Sequence, residues 1–197
     1  MGISLHLVRS HIRDENKQIK EDNGDDLWTD RPHKKSHKDI DARWTQKNGD
    51  DYYGYKNHIK IDGKSMLVDT YMVSDASVHD SKVLDMLLTE EDENQPLYAD
   101  SAYTGAKQEQ AIIDHKMSNQ VCEKGYHNNP LTTEQQANNR IKSKTRARVE
   151  HVFRFMEQSM RGLYIWSVGL PRATGILGLI NLTYNIFRYE QLIRRTA

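Results

Sequence analysis

The sequence has one cysteine, four prolines and no long apolar run among its 197 residues. Cys122 alone cannot form an internal disulfide, which excludes a small secreted fold held together by disulfides. The longest uncharged apolar stretch, residues 173–187, is shorter than the roughly 20 residues that cross a bilayer. The opening residues are too short and too mixed in character for a signal peptide. We therefore expect a soluble protein of a reducing compartment.

An excess of charge of one sign is also lacking, because 28 Lys and Arg residues balance 28 Asp and Glu residues. This balance argues against a globally basic nucleic-acid binder. It hides an asymmetry, however. The segment from Arg140 to the carboxyl terminus has eleven basic and three acidic side chains, a net charge of +8, and the remainder has a net charge of −8. Such an asymmetry is typical of a chain with a polyanionic partner, although a solvated helix face explains the same charges.

Hydrophobic residues make up only 37% of the chain, and they are scarcest in residues 9–51. We expect a charged loop there, with at most a short helix near residues 15–20. The ordered core begins at residue 52. Alternating aromatic and β-branched residues predict a β-hairpin over residues 52–74, with a tight turn at 62–64 in which Gly63 supplies a positive φ.

Strand and helix signals alternate after residue 96, which predicts parallel strand pairing. The short elements are a strand at residues 96–100, a helix at 107–115 with Ala111, Ile112 and Ile113 inward, and a strand at 119–123. Two long helices complete the chain, one from about Thr133 or Asn139 to Met160 and one from Pro171 to about Arg194. The predicted fold class is α/β, with a β-hairpin and parallel strands in a mixed sheet and flanking helices.

Two acidic residues stand out by position. Asp100 ends a predicted strand, where α/β folds place their ligand crevice, although Asp followed by Ser101 is also good turn chemistry. Glu150 lies at the margin of the apolar stripe of the first long helix, with Arg146 one turn before it and Arg154 one turn after it. Two guanidinium groups would keep this carboxylate ionised and rigid, and an ordinary ladder of salt bridges is the simpler alternative.

Together the two acids point to a catalytic metal site. Carboxylates from separate elements beside a basic helix are the ligands that two Mg²⁺ ions need for in-line attack on a phosphodiester. Basic side chains around such a site would hold the phosphate backbone of DNA. The candidates for DNA binding are Lys142, Lys144, Arg146, Arg148, Arg154 and Arg161.

Six blocks of sequence occur in the same order in one known family. They are Asp41-Ala-Arg-Trp-Thr-Gln-Lys-Asn-Gly, Tyr53-Gly-Tyr-Lys-Asn-His-Ile, Ser74-Asp-Ala-Ser-Val-His-Asp80, Ala99-Asp-Ser-Ala-Tyr103, Glu123-Lys-Gly-Tyr126 and Arg146-Ala-Arg-Val-Glu-His-Val-Phe153. In these blocks the chain resembles bacterial insertion-sequence DDE transposases of the insertion-sequence-five type, from about Asp14 to Arg195.

The resemblance implies a ribonuclease-H-like domain in which three acidic residues bind two Mg²⁺ (or Mn²⁺) ions. Such a domain cleaves DNA at transposon ends and joins it to target DNA, with water or a 3′-hydroxyl as nucleophile. It implies a homo-oligomer, or association with a full-length transposase, and no membrane. The expected location is the bacterial cytoplasm, at the nucleoid.

The resemblance also assigns roles to individual residues. Asp100 matches the second acid of the family, and Glu150 matches the third, in the signature that pairs it with Arg146. Asp100 and Glu150 are therefore the expected catalytic residues and metal ligands. The family's Tyr and Lys that flank this signature fall on Ser143 and Glu157, a departure at positions that contact transposon-end phosphates.

The first acid of the family has no match. It belongs to the opening strand, which corresponds here to residues 3–8, and this segment contains no acid. In the register of the resemblance the first acid falls at or just before Met1. The acids Asp41, Asp69 and Asp75 do not lie on the opening strand, so we do not expect them to replace it.

We therefore expect a truncated or remnant transposase, with an impaired metal site and no activity alone. Residues 1–51 would hold the remnant first strand and the charged loop. Residues 52–197 would form the ribonuclease-H-like core with the carboxyl-terminal helices. The alternative is a non-catalytic fragment that binds DNA or another transposase.

Overall fold

A computed structural model describes residues 1–7, 13–22, 27–47, 49–127, 129–162 and 164–196. The described strands are β1 Gly2–Leu7, β2 Arg43–Lys47, β3 Asp50–Ile61, β4 Val68–Asp75, β5 Pro96–Leu97 and β6 Ser118–Asn119. The described α-helices are α1 Arg13–Asp22, α2 Pro32–Lys35, α3 Leu84–Leu87, α4 Ala106–Asp114, α5 Thr133–Gln158 and α6 Leu170–Thr196. Short 3₁₀ helices cover Asp80–Val83, Glu90–Asp92 and Ser101–Tyr103. The predicted mixed α/β class with flanking helices is confirmed.

Strand β3 is the centre of a four-stranded antiparallel sheet. Strands β1, β2 and β4 each pair with β3 in antiparallel orientation, and β3 lies between β1 and β2. Strand β2 covers residues 50–54 of β3, and β1 covers residues 54–59. The predicted hairpin is confirmed as β3 and β4. The predicted opening strand is confirmed for its described part, β1, whereas Val8 lies outside the described residues.

The turn of this hairpin differs from the prediction. Asp62 closes it, because its carboxylate accepts hydrogen bonds from the backbone N–H and the hydroxyl of Ser65, both at 2.6 Å. The residue with left-handed backbone is Met66, with a φ of 64°, whereas Gly63 is not among the residues with positive φ. The predicted role of Gly63 was therefore wrong, because the Asp62 side chain stabilises a longer turn than a tight two-residue one.

The predicted short helix near residues 15–20 is confirmed as α1, but the prediction of a charged loop over the rest of residues 9–51 was wrong in part, since α2 and β2 lie within it. Buried Asp39 anchors this segment. Its carboxylate accepts hydrogen bonds from the Tyr55 hydroxyl at 2.6 Å, from the Ala42 backbone N–H at 3.1 Å and from the Gly169 backbone N–H at 3.2 Å. A segment with few apolar residues can thus be buried, because hydrogen bonds satisfy its polar groups.

Strands β5 and β6 pair in parallel, as predicted. In the helix between them the prediction was wrong at one position. Ile112 is buried, but Ile113 is 64% exposed because it points away from the sheet side of α4.

The two long helices pack on the four-stranded sheet. A capping box formed by Thr132 and Gln135 begins α5. The predicted apolar stripe of α5 is confirmed at its four buried positions, Val149, Val152, Phe153 and Met156. Ala173 and Leu177 of α6 are buried in a cluster with residues of β3 and β4. Within the described ranges, none of the helices combines the length and apolar character that crossing a membrane requires.

Candidate active site

Asp100 lies three residues after the end of β5 and caps the 3₁₀ helix that begins at Ser101. Its carboxylate accepts hydrogen bonds from the Ala102 backbone N–H at 3.3 Å and from the Ser101 hydroxyl at 3.2 Å. The turn-capping role considered for Asp100 is therefore present. The side chain is nevertheless about half exposed, at 53%, so the carboxylate remains accessible to a further partner.

Arg146 joins the two acids that the sequence singled out. Its guanidinium lies 2.7 Å from a Glu150 carboxylate oxygen on the same helix, α5. The same guanidinium lies 3.6 Å from an Asp100 carboxylate oxygen on a different element. Glu150 is therefore held by one guanidinium and not by two. The predicted second contact, from Arg154, is absent among the ion pairs of the described residues.

The donor set of this cluster matches only part of a two-metal site. Carboxylate oxygens are the ligands that Mg²⁺ prefers, so Asp100 and Glu150 suit a divalent cation in kind. Their formal charge with the Arg146 guanidinium is only −1, and this guanidinium lies between them. In the part of the chain that the structure describes, no group of three or more His, Cys, Asp or Glu side chains is placed to hold a metal ion. The residues present therefore do not fit two metal ions.

The acids considered as replacements each contact another group of the protein. Asp41 accepts a hydrogen bond from the backbone N–H of Leu170, at the start of α6, at 2.8 Å. Asp69 forms an ion pair with Lys60 at 2.7 Å. Asp75 accepts a hydrogen bond from the backbone N–H of Ser77 at 2.8 Å.

We call Asp100, Arg146 and Glu150 the acidic cluster. The amino group of Met1 lies close to the Arg146 guanidinium of this cluster. It donates a hydrogen bond to the Tyr98 carbonyl oxygen at 2.9 Å, which connects β1 to the segment that leads from β5 to Asp100. Burial, and to a smaller extent the nearby positive charge of Arg146, lower the pKa of this amine from 8.0 to about 5. The amine is therefore neutral at pH 7 in the folded protein.

A cavity of about 540 Å³ opens beside Met1 and reaches Arg146. Lys60 lines it and forms ion pairs with Asp69 and with Asp92. Sequence reasoning did not identify Met1 or Lys60 as neighbours of the site, and neither periodicity nor a motif marks them. Their positions depend on how β1, β3 and β5 come together.

The six basic residues proposed for DNA binding fall into two groups. Three contact other groups of the protein: Arg146 as described above, Lys142 through the Val121 carbonyl oxygen at 3.1 Å, and Arg148 through the Gly63 carbonyl oxygen. The other three are exposed and form no ion pair within the described residues: Lys144, Arg154 and Arg161. DNA would have to replace the internal contacts that the structure shows for the first group.

A family model described as the transposase DDE domain matches residues 27–186, well over half of the chain. The chain belongs to the DDE transposase family. The matched range of this DDE transposase domain contains Asp100, Arg146 and Glu150, the three residues of the acidic cluster. The resemblance inferred from the sequence blocks is thereby confirmed.

Among curated proteins, this DDE transposase domain is 35% identical over 124 residues to the transposase for insertion sequence element IS1106 of Neisseria meningitidis serogroup B. The match covers 63% of the chain and 43% of the relative, so the chain spans less than half the length of this curated relative. No solved structure matches the chain.

Proposed function

We propose that this DDE transposase domain takes part in DNA transposition as a DNA-binding unit with an incomplete acidic site. In this proposal Asp100 and Glu150 are the catalytic residues and metal ligands inherited from the family. The observation that carries it is the shared contact of both carboxylates with Arg146, at 3.6 and 2.7 Å. Two carboxylates with a guanidinium between them cannot neutralise two divalent ions, so the domain does not cleave or join DNA by itself.

The ribonuclease-H-like fold is part of the same proposal. Antiparallel strands β1, β3 and β4, parallel strands β5 and β6, and two long helices against the sheet support it. We also propose that residues 1–51 and 52–197 are the remnant amino-terminal part and the core.

The composition of β1 is the second support for inactivity. The family resemblance places the first acid on the opening strand, and β1 contains no acidic residue. We assign no chemical step to the chain alone, and a Mg²⁺ or Mn²⁺ ion would bind weakly to the two acids.

A nicking assay tests the proposed inactivity. Supercoiled plasmid that carries insertion-sequence ends is incubated with the domain and Mg²⁺ or Mn²⁺, and Asp100→Asn is the matched control. We expect the same background of nicked DNA with both proteins. Metal-dependent nicking by the unaltered domain that Asp100→Asn abolishes would contradict the proposal.

The proposed DNA contacts rest on the exposed cations Lys144, Arg154 and Arg161. Each phosphate contact contributes about −0.9 to the slope of log K against log salt for duplex DNA. Three such contacts predict a slope of about −3. We expect the double variant Lys144→Ala/Arg154→Ala to reduce the slope to about −1.

The matched control removes the same charge from another surface. Lys82 and Lys107 are exposed and lie outside α5, so Lys82→Ala/Lys107→Ala should leave the slope unchanged. Glu150→Gln should bind DNA at least as tightly as the unaltered domain, because it removes a negative charge near the phosphates. Equal loss of slope in both double variants would show that net charge, and not this face of α5, controls binding.

The alternative function is a non-catalytic fragment that binds another transposase chain. With either function, DNA binding would place the protein at the nucleoid in the bacterial cytoplasm. The exposed apolar residues of α6 favour an additional protein contact.

A further inference from the structure

The connection between α5 and α6 exposes two aromatic rings side by side. Trp166 is 81% exposed and Tyr164 is 54% exposed, whereas Ile165 between them is 3% exposed. Ile165 is buried in a cluster with Tyr53 and Leu177, which fixes the connection to β3 and α6. Both rings lie outside this cluster, with their centroids 6.2 Å apart and their planes inclined by 31°. We name Tyr164 and Trp166 the aromatic pair.

Packing of the core does not explain the exposure of the aromatic pair. A buried aromatic side chain removes roughly 150–250 Å² from water, whereas Trp166 keeps 81% of its surface in solvent. Single exposed hydrophobic residues are normal, but Trp166 is the most exposed of the large hydrophobic residues that the structure describes, and a second ring lies beside it. Two adjoining exposed rings therefore point to a ligand that covers their faces.

The surface beside the aromatic pair is positively charged. Residues 158–189 contain three arginines and no acidic side chain, and Arg161 and Arg172 are exposed. Two carboxylates approach this part of the chain from the segment before β2. Asp39 and Asp41 accept hydrogen bonds from backbone N–H groups around the start of α6, at 3.2 and 2.8 Å. Both carboxylates are thus directed at the backbone, and the surface suits an anionic ligand.

Flat rings beside cations select a nucleobase and not an aliphatic side chain or an acyl chain. Among the described residues 158–162 and 164–169, the exposed large hydrophobic residues are both aromatic. Sites for single-stranded nucleic acid combine cations that hold the phosphates with aromatic side chains on which bases stack. In a duplex the bases are stacked on one another and offer no free face. The aromatic pair therefore suits unpaired bases.

We propose that the aromatic pair is a stacking site for unpaired bases of single-stranded DNA, and that Arg161 binds a neighbouring phosphate. Three residues of chain separate Arg161 from Tyr164, so their Cα atoms lie at most about 11 Å apart. The inference rests on the proposed function in taking DNA as the partner. It adds a second surface, because the cations of α5 contact phosphates of the duplex and the aromatic pair contacts bases that have left it.

Fluorescence anisotropy tests the stacking site with three labelled DNAs of about 16 nucleotides: a single strand, its duplex and an abasic single strand. Trp166→Ala should weaken single-strand binding about 5- to 100-fold, the effect that one lost aromatic stacking contact has on affinity. Binding to the duplex and to the abasic strand should not change, since neither offers a free base face. Trp166→Phe, which keeps a ring, should retain most of the affinity. Arg161→Ala should reduce the salt slope for the single strand by about 0.7.

The matched control removes an exposed aromatic ring from another surface. Tyr189 of α6 is 61% exposed and follows Arg188 in the chain, so it also combines a ring with a nearby cation. Tyr189→Ala should leave all three affinities unchanged. Trp166→Ala should keep the urea midpoint of the unaltered domain, because most of the Trp166 ring is in solvent.

Equal losses on the single strand and the abasic strand would overturn the stacking site, as would single-strand binding that Trp166→Ala does not weaken. If the domain still binds the duplex in either case, only this inference fails and the proposed function is retained. Absence of binding to all three DNAs would overturn both. A sedimentation coefficient that falls with Trp166→Ala in the absence of DNA would overturn the stacking site in favour of a contact between protein chains.

Discussion

Acetylation of the Met1 amine is predicted to remove a large part of the pH dependence of folding. The amine has a pKa of about 5 in the folded protein and 8.0 in the unfolded chain. Between these values the unfolded chain is protonated and the folded protein is not. Stability is therefore complete above pH 8 and decreases as the pH falls toward 5.

The magnitude follows from the size of the pKa shift. Three pKa units correspond to about 4 kcal/mol of unfolding free energy, and about 2 kcal/mol of this is lost between pH 8 and pH 6.5. Solvent screening does not reduce it much, because Met1 is only 6% exposed. An acetylated amine keeps one N–H for the Tyr98 carbonyl and has no charge to desolvate. The adjoining cavity has room for the acetyl group.

Urea unfolding at pH 6.5, 7.25 and 8, with the free and the acetylated protein side by side, measures this effect. The free amine should give about 2 kcal/mol less stability at pH 6.5 than at pH 8, and the acetylated protein much less change. Intact mass must verify that Met1 is retained in both samples. Identical pH dependence of the two proteins would refute the burial of a neutral amine beside Tyr98.

Two further predictions concern the core. Burial lowers the pKa of His58 from 6.5 to about 4, so stability should fall by about 3 kcal/mol between pH 6.5 and pH 4, and His58→Gln should lose this component in urea titrations. Met156 is 1% exposed, so Met156→Ala should cost about 2–4 kcal/mol with an unchanged urea m-value. Met86 is 63% exposed, and Met86→Ala should stay within about 0.5 kcal/mol of the unaltered protein. Equal effects of the two methionine variants would contradict the packing of α5.

Local sequence predicted the elements whose signals are local. Alternation located β3 and β4, and the apolar stripe located α5 because 3.6-residue spacing places its members on one face. The predictions failed where hydrogen bonds to a polar side chain, and not a glycine or apolar residues, stabilise the local structure. Asp62 closes a longer turn than Gly63 would, and Asp39 buries a segment that has few apolar residues. Both depend on hydrogen bonds, which hydropathy does not record.

The candidate site divides in the same way. Its acids and their family could be found from the sequence, because Asp100, Arg146 and Glu150 occur in blocks whose order is specific. The internal contacts of Lys142 and Arg148 could not be predicted from the sequence, because their partners are carbonyl oxygens of distant residues. A helical wheel gives the side of a helix on which a cation lies, but not what it meets there.

The sequence by itself determined the family, the local elements and the absence of an acid from β1. Only the tertiary structure decided that one guanidinium, Arg146, contacts both Asp100 and Glu150, and that the Met1 amine lies beside Tyr98. The reason is physical. Periodicity and capping act over a few residues of chain, whereas these contacts join residues 46 and 97 positions apart and exist only when the sheet and α5 have packed.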